Sequence, residues 1–211
     1  MAELQNIEMV IKDEEEHGVY ALSLVDTPAT GDETVLLSAE KEQVELSEVL
    51  GNNQMVQLAE VDKEKQLIMG VVLMPNQPIY RKSGEREYNI HFKAHTIEKA
   101  AYLYMSQLNN NNATVQHKKP VTGVSVVESW IVLDSQKDKS AMYGKEYPVG
   151  SWAVVMRVHD TAKWEEYKEN GTTNISLEGV FKPKEEPTEL KAEISTLEKR
   201  LNILKSISKG L

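Results

Sequence analysis

Thr114–Val132 reads T-V-Q-H-K-K-P-V-T-G-V-S-V-V-E-S-W-I-V. Two runs rich in β-branched residues, Ala113–Lys119 and Val124–Leu133, flank the turn residues Pro120-Val121-Thr122-Gly123, the clearest hairpin signal in the chain. A register follows from it. With the four turn residues left out, Lys119 pairs with Val124, His117 with Val126, and Val115 with Glu128. Side chains alternate along a strand, so His117, Val126, Glu128 and Trp130 are expected on one face.

Working outward, the flanking segments also read mostly as strands. Toward the N-terminus, Gly18–Val25 (GVYALSLV) is an apolar run that ends at Asp26-Thr27-Pro28, where proline stops ladder pairing. Gln66–Met74 (QLIMGVVLM) is a continuous apolar run bounded by Pro75 and Pro78, which suits a strand buried on both faces. Ile79–Arg81 and Glu87–Phe92, separated by a turn near Gly84, form a second hairpin. A helix is expected over His95–Leu108, with Thr96 as its cap and Ile97, Ala100, Ala101, Tyr104 and Leu108 on one face. Toward the C-terminus, Ser151–Val158 is a strong strand, and Asp160 caps a short helix, Thr161–Glu169. In the strand that follows, Ser176, Glu178 and Val180 share one face while Ile175, Leu177 and Phe181 share the core face.

Two segments differ in character. From about 31 to 65 the composition turns acidic and rich in Gln and Asn, as expected of a flexible insert. After Phe181 the chain passes through KPKEEP into a segment with Leu190, Ile194, Leu197, Leu201 and Leu204 at alternating spacings of four and three. That is a coiled-coil seam, too short to stand alone. The chain thus divides into one domain over 1–183 and a linker with an amphipathic helical tail over 184–211.

Composition excludes several function classes. The net charge of −9 and the absence of a Lys/Arg cluster argue against a nucleic-acid partner. With no cysteine, disulfides, thiolate catalysis and Cys-based zinc sites are ruled out. No apolar run is long enough to span a bilayer, and the first residues lack the pattern of a secretory signal. A soluble, cytosolic protein is expected, or one enclosed in a particle assembled there, with no membrane partner. His91 and His95 straddle a strand-to-helix junction and do not share a helix face, so no metal site is expected from them.

The pair that together looks like catalytic chemistry is His117 and Ser176, the latter within Asn174–Phe181 (N-I-S-L-E-G-V-F). A serine is a poor nucleophile until a base removes its proton, and histidine is the usual base. A third group, often a carboxylate, then holds the imidazole in the productive tautomer. Residue types and spacing alone do not establish such a triad, because it is defined by geometry.

Five blocks in order, GVYALSLVDTPA, GVVLMPNQPIYR, TVQHKKPVTGVSVVESWIV, YPVGSWAVVMRV and NISLEGVF, resemble the XkdF-type branch of the phage prohead (capsid maturation) proteases. The resemblance covers about residues 18–183. It implies an α+β fold similar to herpesvirus assemblin, a mostly antiparallel β-barrel flanked by a few helices. It further implies His117 as general base and Ser176 as nucleophile of a serine endopeptidase that needs no metal or cofactor. Implied substrates and partners are phage scaffold and major capsid precursor proteins, met in the procapsid interior or host cytoplasm. Self-cleavage, with KPKEEP as its region, and a homodimer or higher oligomer are compatible with it.

The related families differ in their third member. Glu128 is the first choice, since the hairpin register sets it on the face of His117. Glu178, which shares the face of Ser176, is the runner-up, followed by Asp134 and His159. Gly171 and Gly179 would permit the close backbone approach that an oxyanion hole requires, although a strand bulge explains either equally. The alternative function is a non-catalytic capsid assembly component that keeps the protease fold.

Overall fold

The computed structural model describes residues 4–27, 34–37 and 65–185. Its strands are β1 (Gln5–Val10), β2 (Gly18–Val25), β3 (Val35–Leu37), β4 (Leu67–Leu73), β5 (Ile79–Ser83), β6 (Arg86–Phe92), β7 (Ala113–Val115), β8 (Lys119–Val121), β9 (Val124–Ile131), β10 (Trp152–Val158), β11 (Asn174–Val180) and β12 (Lys182–Pro183). Helix α1 (Ala94–Ser106) separates β6 from β7, and α2 (Thr161–Glu169) separates β10 from β11. The strands form three four-stranded sheets, ordered β12-β1-β6-β5, β3-β4-β10-β9 and β11-β2-β7-β8.

The expected α+β class holds, but among the described residues the sheets do not close into a barrel. Nor are they purely antiparallel, because β1 runs parallel to β6 and β2 parallel to β7. The long apolar runs become the core strands. In β4 and β10 almost every residue is buried, as expected for strands covered on both faces. One cluster joins residues of all three sheets and both helices, with Leu22, Leu24, Ile68, Tyr104, Trp152 and Trp164 almost fully buried. Each such side chain contributes roughly 1.5–3 kcal/mol relative to an exposed position.

Helix α1 buries Thr96, Ile97, Ala100, Ala101 and Tyr104, and the Tyr104 ring meets Trp152 edge-on at 5.4 Å. Thr96 does not cap it: the N-cap is Lys93, without a side-chain hydrogen bond, and Thr96 lies inside the first turn. Asp160 does cap α2, accepting from the Lys163 N–H. The expected insert over 31–65 falls mostly outside the described residues, although Val35–Leu37 pairs antiparallel with β4. The amphipathic tail lies outside them as well.

The hairpin reading of Ala113–Leu133 is corrected. The strand after Ala113 turns at Gln116-His117-Lys118, so that Ala113 pairs with Val121, Thr114 with Pro120 and Val115 with Lys119. Pro120 sits on the edge strand β8, where its missing N–H is tolerated. The chain then changes sheets through Thr122-Gly123, with Gly123 at φ +79°, and β9 pairs with β10. His117 is therefore a turn residue, and no register links it to Val126 or Glu128.

Candidate active site

The sheet β11-β2-β7 places Ser176 opposite Ser23, and Ser23 opposite Thr114. Paired residues share a face, so these three hydroxyls form one row across the sheet, with Glu178 and its partner Ala21 one step along. The opposite face carries Leu22, Leu24, Ile175 and Leu177 toward the core. The alternation expected for Ser176–Leu177 is thus observed. After Glu178 a bulge shifts the register, so Gly179 faces Val19.

The turn after β7 folds His117 back over this polar row. Gln116 and His117 are both left-handed, at φ +52° and +55°. For residues other than glycine each such conformation costs on the order of 1–3 kcal/mol and persists only where surroundings hold it. Here the Gln116 N–H donates to the Leu24 carbonyl at 2.9 Å, and the His117 N–H donates to Ser23 Oγ at 3.0 Å. His117 is thus held by strained backbone anchored on β2.

His117 Nδ1 lies 3.3 Å from Glu178 Oε1, and the same oxygen accepts a hydrogen bond from the Thr114 hydroxyl. The Glu178 side chain is 18% exposed and the His117 side chain 44%. The Thr114 hydroxyl fixes the carboxylate, and the carboxylate in turn selects the tautomer with the proton on Nδ1. Nε2 is then the basic nitrogen, and among the described residues it has no hydrogen-bond partner. Of the three hydroxyls, Ser23 is fully buried and Thr114 is committed to Glu178, while Ser176, 8% exposed, lines the adjoining groove. Ser176 Oγ and His117 are not hydrogen-bonded; base contacts of this kind commonly tighten only when substrate is bound.

The expected third member, Glu128, is elsewhere. It lies on β9 opposite Val155, is exposed, and pairs with Lys139. Asp134 accepts the N–H groups of Gln136 and Lys137 in its own loop. His159 contacts Ser125 Oγ through Nε2 at 2.8 Å, in the β9–β10 sheet. Of the four candidates, only Glu178 meets His117. The expectation missed Ser23 and Thr114, which hold the histidine and the carboxylate. Both act through pairing between strands distant in sequence and carry no local signal.

Beside Ser176 runs a groove of about 320 Å³. Residues Ile175–Leu177 and Gly179–Phe181 form one wall, and Leu73, Ile79, Arg81, Ile90 and Phe92 contribute the other. Gly179 is required where this wall begins: a Cβ there would lie 2.6 Å from the Gly18 carbonyl oxygen and 2.9 Å from the Phe181 ring. A serine lining an apolar groove and an oriented imidazole on the same sheet together suit acyl transfer from a bound polypeptide.

Comparison with known proteins places the chain in a protease family. The family model described as "Putative phage serine protease XkdF" matches residues 54–185, more than half the chain, and spans His117, Ser176 and Glu178. No curated protein matches the chain, and no solved structure does.

Proposed function

The chain belongs to the XkdF family of phage serine proteases, and from that membership we propose that it is an endopeptidase acting through Ser176, His117 and Glu178. The observation that carries this reading is the 3.3 Å contact between His117 Nδ1 and Glu178 Oε1, on the sheet face that presents Ser176. In the proposed reaction His117 Nε2 takes the proton of Ser176 Oγ as that oxygen attacks the scissile carbonyl. Glu178 stabilises the imidazolium that forms. The imidazolium then protonates the leaving amine, and the C–N bond breaks to leave an acyl-serine. A water, deprotonated by the same nitrogen, releases the acid product and restores the serine.

The proposed substrates are scaffold and capsid precursor proteins of the phage, cut inside the procapsid as it matures in the host cytoplasm. Three features support that assignment: the phage family, the acidic charge of −9 that disfavours DNA binding, and the seam over Leu190–Leu204. In this proposal the leucine pattern over 190–204 serves docking or dimerisation, and the preceding KPKEEP stretch is a site for self-cleavage. Coexpression of the full chain with the phage's scaffold and capsid proteins tests the reading. Mass spectrometry of protein termini should find new ends that vanish with Ser176→Ala. Identical termini from both proteins would point to a non-catalytic assembly module.

A further inference from the structure

We infer that the substrate is read as an extended strand added to the free edge of β11, with an apolar side chain in the adjoining groove and, two residues away on the same face, an Asp or Glu on Arg81. This rests on the protease reading above for what happens after binding, but the binding geometry has its own support.

Strand β11 ends its sheet, and among the described residues no strand pairs with its outer edge. At its start Thr34 bonds to Thr173 and Asn174, and the Ile175 side chain packs beside Gly70 of β4, but among the described residues neither supplies a ladder partner for Ile175 or Leu177. The direction of the remaining backbone groups follows from β2. The Leu22 N–H donates to the Asn112 carbonyl and the Leu24 carbonyl accepts from the Gln116 N–H, so the backbone groups of Leu22 and Leu24 face β7. Their antiparallel partners on β11 are Leu177 and Ile175. In an antiparallel ladder, when one member of a pair points away from its partner, the other does too. The N–H and C=O of Ile175 and Leu177 therefore point to the open edge, on either side of Ser176.

An extended polypeptide satisfies these groups, as in other cases of strand addition. Pairing also fixes where its side chains go. Substrate residues opposite Ile175 or Leu177 point to the core-side face, into the groove lined by Leu73, Ile79, Ile90 and Phe92. Those walls select an aliphatic or aromatic side chain.

Arg81 supplies the charge selectivity. It lines the same groove and is partly buried, and its one side-chain hydrogen bond goes to the adjacent Tyr80 carbonyl. Among the described residues no carboxylate forms an ion pair with it, although acidic residues outnumber basic ones 33 to 24 in the chain. Burial lowers its pKa from the ordinary value, the sign of a charge short of solvent. A guanidinium in that setting gains most from a carboxylate that arrives with the ligand.

The test uses the full-length Ser176→Ala protein, so that binding is read without turnover. Short peptides blocked at both ends carry one leucine or phenylalanine and, stepwise along the backbone, Glu, Gln or Lys; blocking removes any terminal carboxylate as the source of binding. Fluorescence anisotropy should show Glu at its best position binding at least about tenfold tighter than Gln. Methylating the peptide amides that pair with β11 should abolish binding. Adding Arg81→Gln should erase the Glu preference, and Arg81→Glu should shift the preference to Lys. Equal affinities for Glu and Gln peptides, a preference that survives Arg81→Gln, or no peptide binding at all overturns the inference. Because the readout does not involve Ser176, Arg81-dependent binding by a protein that cleaves nothing would reject the protease reading and keep the groove assignment.

Discussion

Replacing Glu178 by Gln removes one charge and little else. The amide oxygen still accepts from the Thr114 hydroxyl, so folding stability should change by less than about 1 kcal/mol. The lost term is the attraction between the carboxylate and the imidazolium that forms during reaction. At the observed 3.3 Å this is about 5 kcal/mol with an effective dielectric constant of 20 and about 1.3 kcal/mol in bulk water. Glu178 is mostly shielded but His117 is 44% exposed, which places the pair between these limits after screening. A loss of about 2–3 kcal/mol corresponds to a fall in kcat of roughly 30- to 150-fold. That is smaller than the roughly 10⁴-fold loss known for a triad with a buried carboxylate, because the His117 ring here is 44% exposed and the pair is screened by solvent. The assay is initial-rate hydrolysis of a peptide spanning a mapped cut site, with thermal melting of each variant alongside. Glu128→Gln, which touches only the Lys139 ion pair, should leave kcat within about twofold. Loss of activity in Glu128→Gln with normal turnover in Glu178→Gln would refute the reasoning.

Other substitutions probe the supports of the site. Ser23→Ala removes the acceptor of the His117 N–H and should lower kcat by about tenfold while KM stays within about twofold, as steady-state kinetics will show. Gly179→Ala forces a Cβ to within 2.6 Å of the Gly18 carbonyl and should destabilise the fold by about 1–3 kcal/mol, visible in denaturant melts. Tyr104→Phe should stabilise by about 1 kcal/mol, raising Tm by roughly 2–4 °C, because the Tyr104 hydroxyl is buried and has no hydrogen-bond partner among the described residues. Burial also pushes the Tyr104 phenol above its ordinary 10.0, so the folded state keeps a proton that the unfolded state gives up. Its stability contribution is whole below that value and falls as pH rises past it, and melts of Tyr104→Phe at alkaline pH should lack this part of the decline.

How much of this was legible depends on range. The buried runs Gly18–Val25, Gln66–Met74 and Ser151–Val158 declared their strands through composition, and the alternation over Ser176–Leu177 assigned faces correctly. Asp160 announced a helix start because its side chain bonds three residues ahead. The turn at Gln116–Lys118 left no such mark. Left-handed backbone is usually signalled by glycine or asparagine, whereas here it is carried by Gln116 and His117 and sustained by acceptors on β2. Periodicity alone therefore ran one strand through to Lys119 and paired it with Val124–Leu133. That error moved His117 onto the wrong sheet and made Glu128 its apparent neighbour. The contact of Glu178 with His117 depends on β2 lying between β7 and β11, one pairing parallel and the other antiparallel, and no local pattern encodes it.

The central claim is that Ser176 is a nucleophile activated by His117. A fluorophosphonate probe tests it most directly, with the labelled residue identified by peptide mass spectrometry over a range of protein concentrations. The account predicts adduct on Ser176, lost in Ser176→Ala and sharply reduced in His117→Ala, while Ser23 and Ser125 stay unlabelled. An unlabelled Ser176 at every concentration, or labelling indifferent to His117→Ala, would contradict it.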